Sequence, residues 1–288
     1  MAERRRDKQN SVRERLRVRP NGISAAKLAG KLAAMDSSDT NGVKRRWAQS
    51  QVLADENRIS SLQERLFAQG KRSILIVLQG MDTSGKDGTI RHALRGLDPL
   101  GVKVVSFKAP TPVERRHNFL WRIRRQLPEP GQIVIFNRSH YEDVLAAKVK
   151  ALAAPQEIEE RYAIINAFEA EIIRKGTAFI KLWLHISVEE QQARLLARLK
   201  RPDKRWKFSQ HDVVERGYWD AYQEAYATAV KRCSPAIAPW YVIPANRKWY
   251  RDWAVTQVLI ETMEDMRLIY PKPRLNLRTL KKQIKAVA

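Results

Sequence analysis

The sequence predicts an α/β fold: a three-layer α/β/α arrangement around a mainly parallel sheet, with a helical lid and an N-terminal helical extension. Three observations predict it. Residues 74–78 form a continuous apolar run, the pattern of a strand buried on both faces. Similar runs return at 102–107, 133–136, 179–186 and 240–243. Between them lie helical segments near 88–96, 115–126, 141–150, 156–175, 188–200, 210–232 and 248–268. Strands alternating with helices imply crossovers and a parallel sheet covered on both sides.

Taken in order, residues 1–50 read as a basic, partly flexible extension, with small residues and a polar loop at 37–42. A helix is expected over 51–69, with Leu53, Ile59, Leu62, Leu66 and Phe67 near one face and Gly70 closing it. One domain is expected over 51–269, carrying a lid at about 198–210, followed by a basic tail at 270–288. Ser187 and Glu190 form a capping box for the helix after the fourth strand. There is no repeat at a fixed period.

Composition narrows the function class. The 288 residues are 44% hydrophobic and 8% aromatic, which suits a globular chain. No apolar run approaches the roughly 20 residues needed to span a bilayer. Arg4-Arg5-Arg6 is not followed by the apolar stretch of a secretory signal. The single cysteine, Cys233, excludes an internal disulfide framework, and a cytoplasmic location is expected. The net charge is +23; residues 1–19 contribute +5 and residues 270–288 contribute +6, so +12 remains for the body. A body of that charge attracts polyanions, although the tails alone can serve solubility.

The chemistry is carried first by Gly80-Met81-Asp82-Thr83-Ser84-Gly85-Lys86, which satisfies G-x-x-x-x-G-K directly after a buried strand. Asp87-Gly88 then opens a helix, so Gly80, Thr83, Ser84, Gly85, Lys86, Asp87 and Gly88 are expected to surround phosphate oxygens. Lys86 supplies a point charge on the transferred group. The Ser or Thr that normally follows this lysine and holds Mg²⁺ is Asp87 here, so a metal needs another ligand, and Asp82 is the obvious carboxylate.

The third strand ends in Asn137-Arg138-Ser139-His140-Tyr141-Glu142-Asp143, where α/β sheets gather functional groups. Asn137 stands where an acidic metal ligand would be expected. It can orient a metal-bound water, with Glu142 or Asp143 supplying a carboxylate and Arg138 reaching back to phosphate. The plainer reading is a cap on the next helix. His140 reads as a packing or capping histidine.

Farther on, Arg194, Arg198 and Arg201 share a helical face, and the segment after Pro202 reads as a mobile lid. Arg198, Arg201 and Arg205 are its candidate phosphate ligands; a solvated charged face is the alternative. Lys108 and Arg122 belong to a basic cluster after the second strand that can form an anionic track, with Arg122 and Arg125 beside the loop. Positioned cations of this kind carry most of the catalysis of phosphoryl transfer.

Together these motifs resemble the polyphosphate kinase type 2 family, a branch of the thymidylate-kinase-like P-loop kinases. The resemblance rests on 78–88, 106–111, 119–123, 136–145, 204–209, 238–245 and 247–250, in order over roughly residues 50–268. It implies reversible, Mg²⁺-dependent transfer of the terminal phosphoryl group of inorganic polyphosphate to AMP or ADP, with guanine nucleotides as further acceptors. By position it implies that Asp82 and Lys86 are the loop carboxylate and lysine, Arg138 the arginine after the strand and Arg198 the lid arginine. Asn137 with His140, Glu142 and Asp143 resembles the subgroup that accepts AMP as well as ADP. A homo-oligomer, dimer or tetramer, is also implied, with neither a membrane nor nucleic acid required. The competing expectations are an ATP-dependent nucleoside or nucleoside-monophosphate kinase and a nucleic-acid-binding protein with a vestigial loop.

Overall fold

The computed structural model of the protein describes residues 11–20, 22–273 and 275–286. Helices α1 (Val12–Leu16), α2 (Ala25–Ala33) and α3 (Arg45–Gln69) precede β1 (Ser73–Gln79). Then come α4 (Lys86–His92), β2 (Val102–Ser106), α5 (Trp121–Arg124), β3 (Ile133–Asn137), α6 (Ala146–Val149), α7 (Pro155–Arg174) and β4 (Thr177–His185). The chain continues through α8 (Val188–Lys200), α9 (Gln210–Gly217), α10 (Trp219–Arg232), β5 (Trp240–Pro244), α11 (Lys248–Asp265) and α12 (Leu277–Ala286).

All five expected strands form, in one parallel sheet of order β2-β3-β1-β4-β5. β1 is central and buried along its whole length, as its unbroken apolar run requires. Its alternate residues feed two cores. Ile74, Ile76 and Leu78 pack with α1, α3 and α11, whereas Leu75 and Val77 pack with α2, α7 and α10. Leu78 pairs with Asn137 and Gln79 with Trp183, so the ends of β1, β3 and β4 open at one edge of the sheet.

The N-terminal extension departs from expectation. Ser11 and the described residues after it are folded onto the body; residues 1–10, with Arg4-Arg5-Arg6, lie outside the described residues. Val12 and Leu16 of α1 are buried, each worth about 2 kcal/mol of apolar transfer. The first amides of α1 are met by Glu261 of α11, which accepts from Val12 N at 2.9 Å and Arg13 N at 3.2 Å. Arg17 bridges antiparallel to Tyr241, and Val18 N donates to Trp240 O at 2.9 Å, covering the edge strand β5. Composition hides this, because the apolar residues that dock are few and set among arginines.

Other differences are local. α3 begins earlier than expected, and Leu53 and Phe67 are exposed while Ile59, Leu62 and Leu66 are buried. The helix expected over 115–126 shrinks to a 3₁₀ turn and α5, because the Asn118 side chain accepts from Leu120 N at 2.8 Å and stops the chain in a turn. The segment 141–150 divides into a 3₁₀ turn, His140–Asp143, and α6. The one over 210–232 divides after Gly217. The expected lid contains a 3₁₀ helix, Pro202–Lys207, with no buried residue. In the basic tail, α12 also buries nothing, and Arg274 lies outside the described residues.

Candidate active site

The segment from Gly80 to Gly85 joins β1 to α4 and needs three residues at positive φ: Gly80 (153°), Thr83 (65°) and Gly85 (106°). A Cβ on Gly80 would come within 2.7 Å of Leu184 O, so the chain passes too close to β4 for any side chain. Among the described residues, the backbone amides of Gly85, Lys86, Asp87 and Gly88 find no carbonyl acceptor. They form a row of free donors at the mouth of a cleft.

That cleft measures about 1490 Å³ and gathers Asp82, Lys86, Asn137, Arg138, Arg198 and Arg201. Thr83, Gly85, Asp87, Gly88 and Lys108 also face it. Lys86 Nζ donates to Gly80 O at 2.7 Å and Met81 O at 3.3 Å, leaving one of its three donors for an anion. Burial pushes its pKa below the ordinary lysine value, partly offset by the Asp82 charge. Burial alone would raise the Asp82 carboxyl, but Lys86 and Arg138 outweigh it and hold the group below the usual carboxylate range. Arg138 reaches Asp82 at 3.0 Å from a residue at φ 64°, anchored by its own N–H on Leu78 O. Asn137 donates to Asp87 at 2.9 Å, and Lys207 of the lid reaches the same carboxylate at 3.4 Å. Arg198 binds Lys207 O at 3.1 Å and Asp212 at 3.3 Å, so it ties the lid to α9.

Several expected residues lie elsewhere. Ser84 is fully buried beneath the loop, and Gly80 faces a separate 90 Å³ hollow shared with Asp82, Arg138 and Glu142. Glu142 therefore approaches the loop from behind. Arg122 is not beside the loop: it is buried, donates to Lys108 O at 2.8 Å and lies over Phe107. It lines a different pocket of about 470 Å³ with Asp143 and Arg161. Arg125 stacks on Trp121. Arg205 donates to Leu199 O at 2.8 Å and does not line the cleft.

His140 is a packing histidine, as its lack of partners in the sequence indicates. It is buried against Phe168 and 3.4 Å from Glu169, and burial lowers its pKa. Beneath it, Lys181 Nζ meets Glu169 at 2.6 Å, the Tyr141 hydroxyl at 3.0 Å and Cys233 O at 2.7 Å. Tyr141 in turn donates to Glu169 at 2.6 Å. A buried pair this fully satisfied fixes the backbone that carries Arg138 and Glu142.

Sequence reasoning missed Arg251 and Lys248 of α11, which line the cleft opposite the lid, and also Arg45 and Arg91. The only signal was the basic run at 247–251, which reads alone as a solvated helix start. The charge of the body is therefore concentrated on one cavity.

The donor set fits Mg²⁺. Among the described residues no cluster of three or more His, Cys, Asp or Glu is present. Mg²⁺ bound beside phosphates needs only one or two carboxylates and keeps several waters. Asp82 faces both cavities, and Glu142 stands in the smaller one.

The family described as polyphosphate kinase 2 (PPK2) matches residues 42–270. A protein of Meiothermus ruber named AMP/ADP-polyphosphate phosphotransferase is 46% identical over 262 residues, covering 90% of this chain and 96% of the relative. The ADP-polyphosphate phosphotransferase of Rhodopseudomonas palustris is 42% identical over 75% of this chain and 78% of its own length. The crystal structure of polyphosphate kinase 2 from Arthrobacter aurescens TC1 superposes with a TM-score of 0.91 at 41% identity, covering 96% of this chain and 97% of that one.

Proposed function

Because the chain belongs to the polyphosphate kinase 2 family, we propose that it transfers the terminal phosphoryl group of inorganic polyphosphate to AMP and ADP, forming ADP and ATP reversibly. One observation carries this reading: the loop, Arg138 and the lid cations share a single cleft of about 1490 Å³. Pockets for one small ligand run from about 300 to 1,000 Å³, so this cleft has room for a nucleotide and a length of polymer.

The protein's work is positioning and charge compensation, because phosphoryl transfer needs little covalent help. The free amides of Gly85 to Gly88 and the spare donor of Lys86 receive the oxygens of the transferring group. Arg138, oriented by Asp82, bears on the same group from the end of β3. Arg198 and Arg201, on the stretch that leads into the lid, bring positive charge over it and exclude water. Lys108, Lys248 and Arg251 extend the cationic wall along which the polymer lies. Mg²⁺ would be held by Asp82, with Asn137 and Glu142 acting through water, and would neutralise charge between the phosphates. The acceptor oxygen attacks the terminal phosphorus, the bridging P–O bond breaks, and the shortened polymer leaves with the electron pair.

We place the protein in the cytoplasm, as a dimer or tetramer, with guanine nucleotides as further acceptors. The testing experiment incubates purified protein with polyphosphate, Mg²⁺ and either AMP or ADP and reads ATP by luciferase. ATP from ADP, and ADP from AMP, are expected. Phosphorylation of a nucleoside monophosphate by ATP in the absence of polyphosphate, with none in its presence alone, would favour an ordinary nucleotide kinase.

A further inference from the structure

By spacing, Arg194 shares a helical face with Arg198 and Arg201. Its guanidinium is committed elsewhere. Nε donates to Glu190 at 2.7 Å. Nη1 donates to Thr83 O at 2.8 Å and Ser84 O at 3.0 Å. Nη2 donates to Ala245 O at 2.6 Å and Asn246 O at 3.0 Å. A guanidinium has five N–H donors, so none is left for a ligand.

We propose that Arg194 is a positioning residue that holds the phosphate-gripping loop in its binding conformation and ties it to α8, the helix that runs into the lid. Peptide planarity supplies the mechanism. C=O and N–H of one peptide unit point in opposite directions, so fixing Ser84 O on Arg194 aims the Gly85 N–H to the other side. Gly85 lines the cleft and its N–H finds no carbonyl acceptor among the described residues, so it is a donor available to an anion there. Thr83 also stands at φ 65°, a costly conformation for a β-branched residue, and the bond to its carbonyl holds it there. The Ala245 and Asn246 carbonyls, at the end of β5, anchor the same guanidinium to the sheet. Arg194 thus joins the loop, the sheet and the root of the lid through one planar group.

The kinetic part of the test rests on the proposed phosphotransfer; hydrogen exchange does not. Arg194→Met and Arg194→Lys are compared with wild type for kcat and KM, for melting temperature, and for amide exchange of peptides spanning 80–86. Misplacement of a gripping loop costs about 100-fold in rate, so Arg194→Met should lose about that in kcat. Arg194→Lys should fall between the two, since a single ammonium cannot reach both pairs of carbonyls. The KM for ADP should move little in either variant. Loop exchange should quicken, while peptides from the β4 strand stay protected. Wild-type kcat together with wild-type loop exchange in a folded variant overturns the proposal. So does a raised KM for polyphosphate at unchanged kcat, which would mark Arg194 as a direct ligand. If Arg194→Met does not fold, folded Arg194→Lys with full kcat is equally fatal. If no phosphotransfer is found even in wild type, the exchange comparison alone decides.

Discussion

Asn137 Nδ2 donates to the Asp87 carboxylate at 2.9 Å, so the two positions at which this site departs from the usual nucleotide-binding loop are bonded to each other. Asp87 stands where a hydroxyl is normal and Asn137 where a carboxylate is normal, and each makes the other tolerable. An aspartate at 137 would set two carboxylates in contact and raise the pKa of one of them. Asn137→Asp should therefore lose more activity near pH 8 than near pH 6, where the pair shares a proton. A pH profile of ATP formation checks this; a parallel shift at all pH values would sink it.

Lys86 and Asp82 face each other across the loop, the one with a depressed lysine pKa and the other with a depressed carboxylate pKa. Lys86→Met removes a buried cation and leaves a chain of similar volume, so the fold should survive. Turnover should drop by about 10³ or more, as when a fixed charge on a transferring group is lost. Asp82→Ala should cost a comparable factor and leave Arg138 free to turn toward Glu142. Single-turnover assays with melting curves test both; full activity in either variant removes that residue from the mechanism.

The strands and the loop were legible because they depend on local pattern. The apolar run of β1 and the spacing of Gly80, Gly85 and Lys86 need no knowledge of the rest of the chain. What escaped depends on distant parts meeting. Arg194 was read only as sharing a helical face with Arg198 and Arg201, because its partners at 83, 84, 245 and 246 are separated from it by 50 residues or more. Arg122 was placed beside the loop from its position in the sequence, yet α5 turns it toward Phe107 and the Lys108 carbonyl. The docking of α1 rests on Glu261, about 250 residues away. Periodicity carries no information about such pairs.

Asp143 lines the 470 Å³ pocket beside Arg122 and Arg161, with its pKa raised to about 6. Burial is the cause; Arg122 and Arg161 pull the other way without prevailing. The folded chain therefore binds this proton more tightly than the unfolded one, and ionisation costs stability. The cost is absent below the ordinary aspartate value of 3.8, grows as pH rises through about 6 and is complete above that. About two units correspond to at most about 3 kcal/mol. Asp143→Asn should thus be more stable than wild type near pH 8, with the advantage fading toward about pH 4. Urea unfolding of both proteins across that range is the measurement, and an advantage that grows on acidification would contradict the assignment.

Gly85 is required by Arg251. A Cβ at Gly85 would lie 1.9 Å from Arg251 Nη1, and the residue sits at φ 106°. The guanidinium cannot easily withdraw, since Nε and Nη2 are held by Asp252 at 2.8 and 2.6 Å and the side chain is almost wholly buried. Gly85→Ala should lose about 1–3 kcal/mol from backbone strain alone, and more from the displaced arginine. Arg251→Ala should also destabilise, by leaving the half-buried Asp252 without its partner, a group whose pKa burial already raises. The steric part of the Gly85→Ala loss vanishes once Arg251 is gone, whereas the φ strain remains. The double variant should therefore be more stable than the two single losses added together predict, and denaturant unfolding of all four proteins gives the coupling. Strict additivity would mean that Arg251 moves aside freely, and that Gly85 is needed only for its backbone conformation.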